Sequence, residues 1–261
     1  MINNISILTG IDKQGHPEPV GRVELKMGDV VSIVGPTGSG KTTLINDLEL
    51  FANSNTPTGR KILINGAFPP AEYLNNPSGN PIALITQHTS FLSDLPVADF
   101  LITHARIRCT EYAQIDDLLQ QTLDFANQLT GEPVLLHSRM TELSGGQTRA
   151  LLIADATVIC NTPIVLLDEV ENAGINRARA LELLRAYQKI FIFVTHDPRI
   201  ALLSDYRIVM KNGSIVKLQY SSTEEQQLSR YLTKIDNVLS QIREKIRLGE
   251  TICRDVWEGL Q

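Results

Sequence analysis

Apolar positions along this chain of 261 residues form short runs that alternate with segments of helical periodicity. Val30-Val31-Ser32-Ile33-Val34 is an apolar run of strand length, whereas Thr43-Leu44-Ile45-Asn46-Asp47-Leu48-Glu49-Leu50 returns its apolar residues to one helix face. A glycine-rich segment separates the two, so a strand, a tight loop and a helix are expected in succession. As far as about Gln87 the pattern is otherwise strand-rich. Lys61-Ile62-Leu63-Ile64 runs into a turn at Asn65-Gly66, and Ile82-Ala83-Leu84-Ile85 follows loops marked by Pro69, Pro70, Pro77, Gly79 and Pro81.

Between His88 and Gln147 the period becomes helical, with Val97 to Ile107 following Pro96 and with Leu118, Leu119, Leu123, Phe125 and Leu129 at helical intervals. Residues 88–147 therefore read as an inserted helical subdomain. Strand and helix alternate again beyond it: a helix from about Gln147 to Ile159, a strand at 164–167, a helix from about Arg177 to Gln188 and a strand at 190–194. That alternation predicts a parallel sheet covered on both faces. Asn212-Gly213, set between Arg207-Ile208-Val209-Met210 and Ser214-Ile215-Val216-Lys217, signals a hairpin.

A tail over 219–261 differs from all of this. Leu228, Leu232, Ile235, Leu239, Ile242 and Ile246 are spaced alternately by four and three residues along one helix face, and Gly249 is placed to end the helix. The expectation is a helix packed on its own domain, with self-association through the stripe as the alternative.

Length and a hydrophobic content of 43% suit one large domain or two small ones. A formal net charge of −5 gives no overall footprint for nucleic acid or an anionic membrane, so no nucleic-acid partner is indicated. Cys109, Cys160 and Cys253 lie far apart without C-x-x-C spacing, which argues against a disulfide framework or a zinc site and for a reduced, cytoplasmic setting. No stretch of about 18 apolar residues occurs, so any pore must come from another chain.

The chemistry sits in the segments that join these elements. Gly35-Pro36-Thr37-Gly38-Ser39-Gly40-Lys41-Thr42 fits the phosphate-cradling pattern G-x-x-x-x-G-K-S/T, with Thr43 continuing into the helix. Its glycines let backbone N–H groups face phosphate oxygens, Lys41 supplies a cation, and the Thr42 hydroxyl can ligate Mg²⁺. Ser144-Gly145-Gly146-Gln147, after Leu143, also fits a capping box at a helix start. Asp168 and Glu169 end the apolar run Ile164-Val165-Leu166-Leu167, where two adjacent carboxylates are costly unless bound to something. Gln87 and His196 follow two further apolar runs.

Taken in order, these motifs resemble the ATP-binding cassette family over most of residues 1–218. The resemblance implies an α/β fold: a P-loop NTPase core with a mainly parallel sheet, an antiparallel β subdomain and the inserted helical subdomain. It also implies ATP and Mg²⁺ as ligands and ATP hydrolysis as the activity. Gly35 to Thr43 would be Walker A and Ser144 to Gln147 the signature that meets the γ-phosphate held by a second cassette. Thr42, Gln87 and Asp168 would belong to the Mg²⁺ shell, Glu169 would polarise the attacking water, and His196 would contact the γ-phosphate. Partners implied are a second cassette, as a homodimer on ATP, and a separate membrane permease, which would place the chain at the inner face of the membrane. A soluble switch acting on a protein partner is the other reading.

Two departures from the family pattern stand out. The loop after Glu169 reads Val170-Glu171-Asn172-Ala173-Gly174-Ile175-Asn176 and lacks the family's usual proline and its later aspartate, so the expectation is cross-dimer contacts through Asn172 or Asn176, or weaker ones. Residues 1–50 contain no Phe, Trp or Tyr to stack on adenine, so the expectation is weak stacking, stacking on His16, the only ring there, or stacking on a residue elsewhere in the chain.

Overall fold

The computed structural model describes residues 2–76, 79–86, 88–91, 93–108, 115–168 and 177–252. In chain order its first elements are β1 (Asn4–Leu8), β2 (Arg22–Lys26), β3 (Val30–Val34), α1 (Lys41–Glu49), β4 (Lys61–Ile64), α2 (Glu72–Asn75) and β5 (Ile82–Ile85). Then follow α3 (Val97–Arg108), α4 (Ile115–Leu129), α5 (Gly145–Thr157), β6 (Ile164–Asp168) and α6 (Arg177–Ala186). The last are β7 (Ile190–Val194), α7 (Pro198–Leu203), β8 (Tyr206–Lys211), β9 (Ser214–Tyr220) and α8 (Thr223–Arg247).

Two sheets form. Six strands lie in the order β5-β6-β7-β3-β8-β9, all parallel except β9, which returns antiparallel to β8 through the turn at Asn212-Gly213. Both turn residues have positive φ, 51° and 86°, as the two-residue hairpin demands. A separate antiparallel sheet has the order β2-β1-β4. The mainly parallel α/β core expected from the alternating pattern is thus present together with an antiparallel sheet.

Burial explains why the central strands read as unbroken apolar runs. Successive side chains of a strand point to opposite faces, and here both faces are covered. Val165, Leu167, Phe191 and Phe193 join the core under α3 to α6, whereas Ile164, Leu166, Ile190 and Ile192 join the core shared with α1 and the antiparallel sheet. A polar face was never available to these strands, so the alternation usual in a solvated sheet is absent.

α8 is a single helix resting on α7, and Gly249, at φ 70°, ends it. Its first turn is pinned by Arg207, whose Nη2 donates to Glu225 Oε1 at 2.6 Å. Leu228, Ile235, Leu239 and Ile246 of the heptad stripe are exposed, Leu232 and Ile242 are half-buried, and Ser229 and Val238 are buried. Four of the six positions of the stripe are therefore open to solvent. α7, with 6 residues and about 9 Å at 1.5 Å per residue, spans only part of α8, with 25 residues and about 37 Å. No helix among the described residues is long and apolar enough to cross a membrane.

Candidate nucleotide site

The loop between β3 and α1 is shaped by close approaches that only glycine permits. Gly35 has φ 154°, and a Cβ there would lie 2.4 Å from the Met210 carbonyl oxygen and 2.7 Å from Ser39 Oγ. Gly40 has φ 97°, and its Cβ would meet Gly213 Cα at 2.9 Å. The Gly213 N–H donates to the Ser39 carbonyl at 2.8 Å, so the β8–β9 turn braces the loop from one side.

Because Gly40 is the residue before α1, no side chain caps that helix. Its first-turn N–H groups and the positive end of its dipole are left for an anion. Lys41 is buried and folds back over the loop, donating from Nζ to the carbonyls of Gly35 at 3.0 Å and Pro36 at 3.2 Å. Thr42 and Thr43 are exposed on the first turn. Together with Thr37, Gly38, Gly40, Lys13 and His196 these residues line a cleft of about 300 Å³. An uncapped helix start, a glycine cradle and a lysine with no acidic residue among the cleft's described lining fit a polyphosphate.

His196 reaches the cleft because β7 lies beside β3 in the sheet. The turn that carries it is held by Asp197, which caps α7 by accepting from the Arg199 N–H at 2.9 Å and grips the Arg199 guanidinium through both carboxylate oxygens. Asp168 closes β6 opposite Val194 of β7. β5, β6, β7 and β3 are parallel, so their C-terminal ends share one edge of the sheet, where ligands of open α/β sheets gather. Gln87 and Glu169, which follow β5 and β6, lie outside the described residues, as does the loop 170–176.

Ser144 to Gln147 stand elsewhere, at the start of α5, and do not line the cleft. The capping box is formed: Ser144 Oγ accepts from the Gln147 N–H at 3.3 Å, and Gln147 Oε1 accepts from the Ser144 N–H at 2.9 Å. Gln147 Nε2 donates further to the Pro133 carbonyl at 2.9 Å. Ser144 and Gly145 face solvent.

Two residues differ from what their sequence context suggests. His16, the only ring upstream of the glycine loop, does not line the cleft; its side chain is 74% exposed and sits 3.3 Å from Asp12. Lys13, which no motif marks, does line it, with Nζ donating to the Gly38 carbonyl at 2.8 Å.

A family model described as "ABC transporter" matches residues 21–172. The chain belongs to that family. It is an ATPase cassette that binds nucleotide. It is 46% identical over 254 residues to an uncharacterized ABC transporter ATP-binding protein of Methanocaldococcus jannaschii, a match covering 97% of this chain and 96% of that one. The sulfate/thiosulfate import ATP-binding protein CysA of Gloeobacter violaceus is 32% identical over 203 residues. That match covers 74% of this chain and 55% of the relative, so the chain spans about half of that relative's length. Among solved structures, cbiO1 from Clostridium perfringens, part of the ABC transporter complex cbiONQ, has a TM-score of 0.67 at 19% identity, covering 95% of this chain and 100% of that one. A dimeric ATP-binding cassette in a post-hydrolysis state, bound to ADP and phosphate, has a TM-score of 0.63 at 22% identity, covering 84% and 99%. Both are likenesses of fold.

Proposed function

We propose that this cassette works as a sandwiched pair, the Walker A cleft of one chain closed by Ser144 to Gln147 of the other, and that closure on ATP and reopening after hydrolysis drive a membrane permease. The observation that carries the pairing is spatial. Within one chain the cleft and the exposed start of α5 are separate surfaces, each with donors suited to the same triphosphate.

Lys41 and the first-turn N–H groups of α1 bind the β- and γ-phosphates. Thr42, Asp168 and Gln87 would hold Mg²⁺, which when bound neutralises charge on the phosphate oxygens. Glu169 orients the attacking water and draws its proton, and His196 donates to the γ-phosphate as charge builds there. Across the pair, Ser144 Oγ and the Gly145 and Gly146 N–H groups meet that same phosphate. Its departure removes the shared anion, and the two chains lose their bridge.

Replacing Glu169 by Gln should lower steady-state hydrolysis by about 100-fold or more, the scale of losing a positioned base, while Mg·ATP binding persists and a dimer accumulates on ATP. Turnover at the wild-type rate would remove Glu169 from the mechanism.

A permease is favoured because the importer relative CysA shares the cassette. A soluble switch on a protein partner is the second reading, and it rests on the altered loop 170–176 and on the heptad-spaced tail. Affinity purification of the tagged chain from detergent-solubilised membranes separates the two. A polytopic membrane protein in stoichiometric amount supports transport, and recovery with a soluble protein alone supports the switch.

A further inference from the structure

The loop between β1 and β2 delivers Lys13 to the phosphate cleft with little freedom to move. Asp12 folds the loop on itself, its Oδ1 accepting from the N–H groups of Gln14 and His16 at 2.8 Å each. The Lys13 N–H donates to the Asn212 carbonyl at 3.1 Å, tying the loop to the same β8–β9 turn that braces Walker A. From there Lys13 Nζ reaches the Gly38 carbonyl.

At the base of the loop lies a buried charge cluster. Arg60 is 0% exposed and donates from Nη2 to Glu18 Oε1, from Nη1 to Asp47 Oδ2 at 2.8 Å, and from Nη2 to the Gly213 carbonyl at 2.6 Å. Glu18 also accepts from the backbone N–H groups of Gly10 at 3.0 Å and Ile215 at 2.7 Å. One guanidinium thus joins the Lys13 loop through Glu18, α1 through Asp47, and the β8–β9 turn through Gly213. Buried charges persist only where partners satisfy them, and a network satisfied this fully is rigid.

Two ammonium groups, Lys13 and Lys41, therefore share one small cleft, and none of the cleft's described lining residues is acidic. Like charges so placed repel unless a polyanion lies between them. Residues 1–50 also offer no Phe, Trp or Tyr on which a base could stack. Resting on the ATP-binding reading above, we propose that Lys13 is a second phosphate-binding lysine of this cleft, and that the chain selects the phosphate chain over the base. The buried Arg60 cluster presets its position, so little ordering opposes binding.

Calorimetry with Mg²⁺ and ADP, GDP or inorganic pyrophosphate, on wild type, Lys13→Met and Lys13→Arg at fixed ionic strength, tests this. Wild type should bind GDP within about threefold of ADP. Lys13→Met should weaken all three ligands by a common factor of about ten, the scale of one charge-assisted phosphate contact, and Lys13→Arg should restore them to within about twofold. Lys13 is exposed, so the melting temperature should stay put and a folding defect can be recognised. Unchanged ADP affinity in Lys13→Met overturns the proposal, as does weakened ADP with unchanged pyrophosphate, which would place Lys13 at the base. If Lys41→Ala loses ADP while Lys13→Met keeps it, Lys13 fails and Walker A stands. Wild type binding none of the three overturns the nucleotide reading itself.

Discussion

Two helices of this chain begin with glycine-rich sequence, and they leave their first N–H groups in different states. α1 starts after Gly40, which has no side chain to cap it, and Lys41 has turned back onto the loop carbonyls. α5 starts after Ser144, and its capping box already occupies the Gln147 and Ser144 N–H groups. Both ends carry the positive pole of a helix dipole. The first is an open anion cradle in the lone chain, whereas the second is locally satisfied and has the amides of Gly145 and Gly146 left to offer. Affinity for nucleotide should accordingly reside at α1, and α5 should act when a second chain brings a phosphate to it.

Lys41→Ala should give the largest break in that comparison. It removes the buried cation of the cleft without touching the strands beneath, and titration calorimetry should show ATP binding weakened by about 100-fold, in line with losing two charge-assisted hydrogen bonds. Unaltered affinity in a folded protein would put the cradle elsewhere.

Ser144→Ala should be far milder and of a different kind. Losing the cap costs about 1 kcal/mol, read in a thermal scan as a fall of about 2–4 °C for a domain of this size. Binding of ATP to the isolated chain should not change, because Ser144 does not line the cleft. A tenfold loss of ATP affinity at protein concentrations too low for pairing would erase the distinction between the two helix starts.

The same contrast shows what could be read from the amino-acid order. Strand β3, the glycine loop and α1 were legible because their signals are local: an apolar run, glycines where the backbone must approach Gly213 and Met210, and helical spacing after Lys41. The capping box of Ser144 and Gln147 was legible for the same reason. Lys13 was not, since its position depends on Glu18 meeting Arg60 across 42 positions of chain and on the turn at Gly213, contacts no local pattern encodes. The ring of His16 was visible in the sequence, but its place beside Asp12, outside the lining of the phosphate cleft, was not. In α8 the heptad spacing specified a helix with an apolar face but not what lies against that face, because periodicity fixes a direction and not a partner.

The central claim, that each ATP site is built from the α1 cradle of one chain and the α5 start of another, is tested most directly by mixing two inactive variants. Lys41→Ala disables the cradle, and Ser144→Arg places a bulky cation on the exposed helix start. Each alone should hydrolyse ATP near background. In an equimolar mixture half of the pairs contain one chain of each kind, and each such pair holds one site with both lesions and one intact site. Steady-state hydrolysis at saturating Mg·ATP should therefore recover to about a quarter of the wild-type rate, since about half of the pairs each have one of two sites. A mixture no more active than its components, with mixed pairs demonstrated by differential tagging, would contradict the shared site.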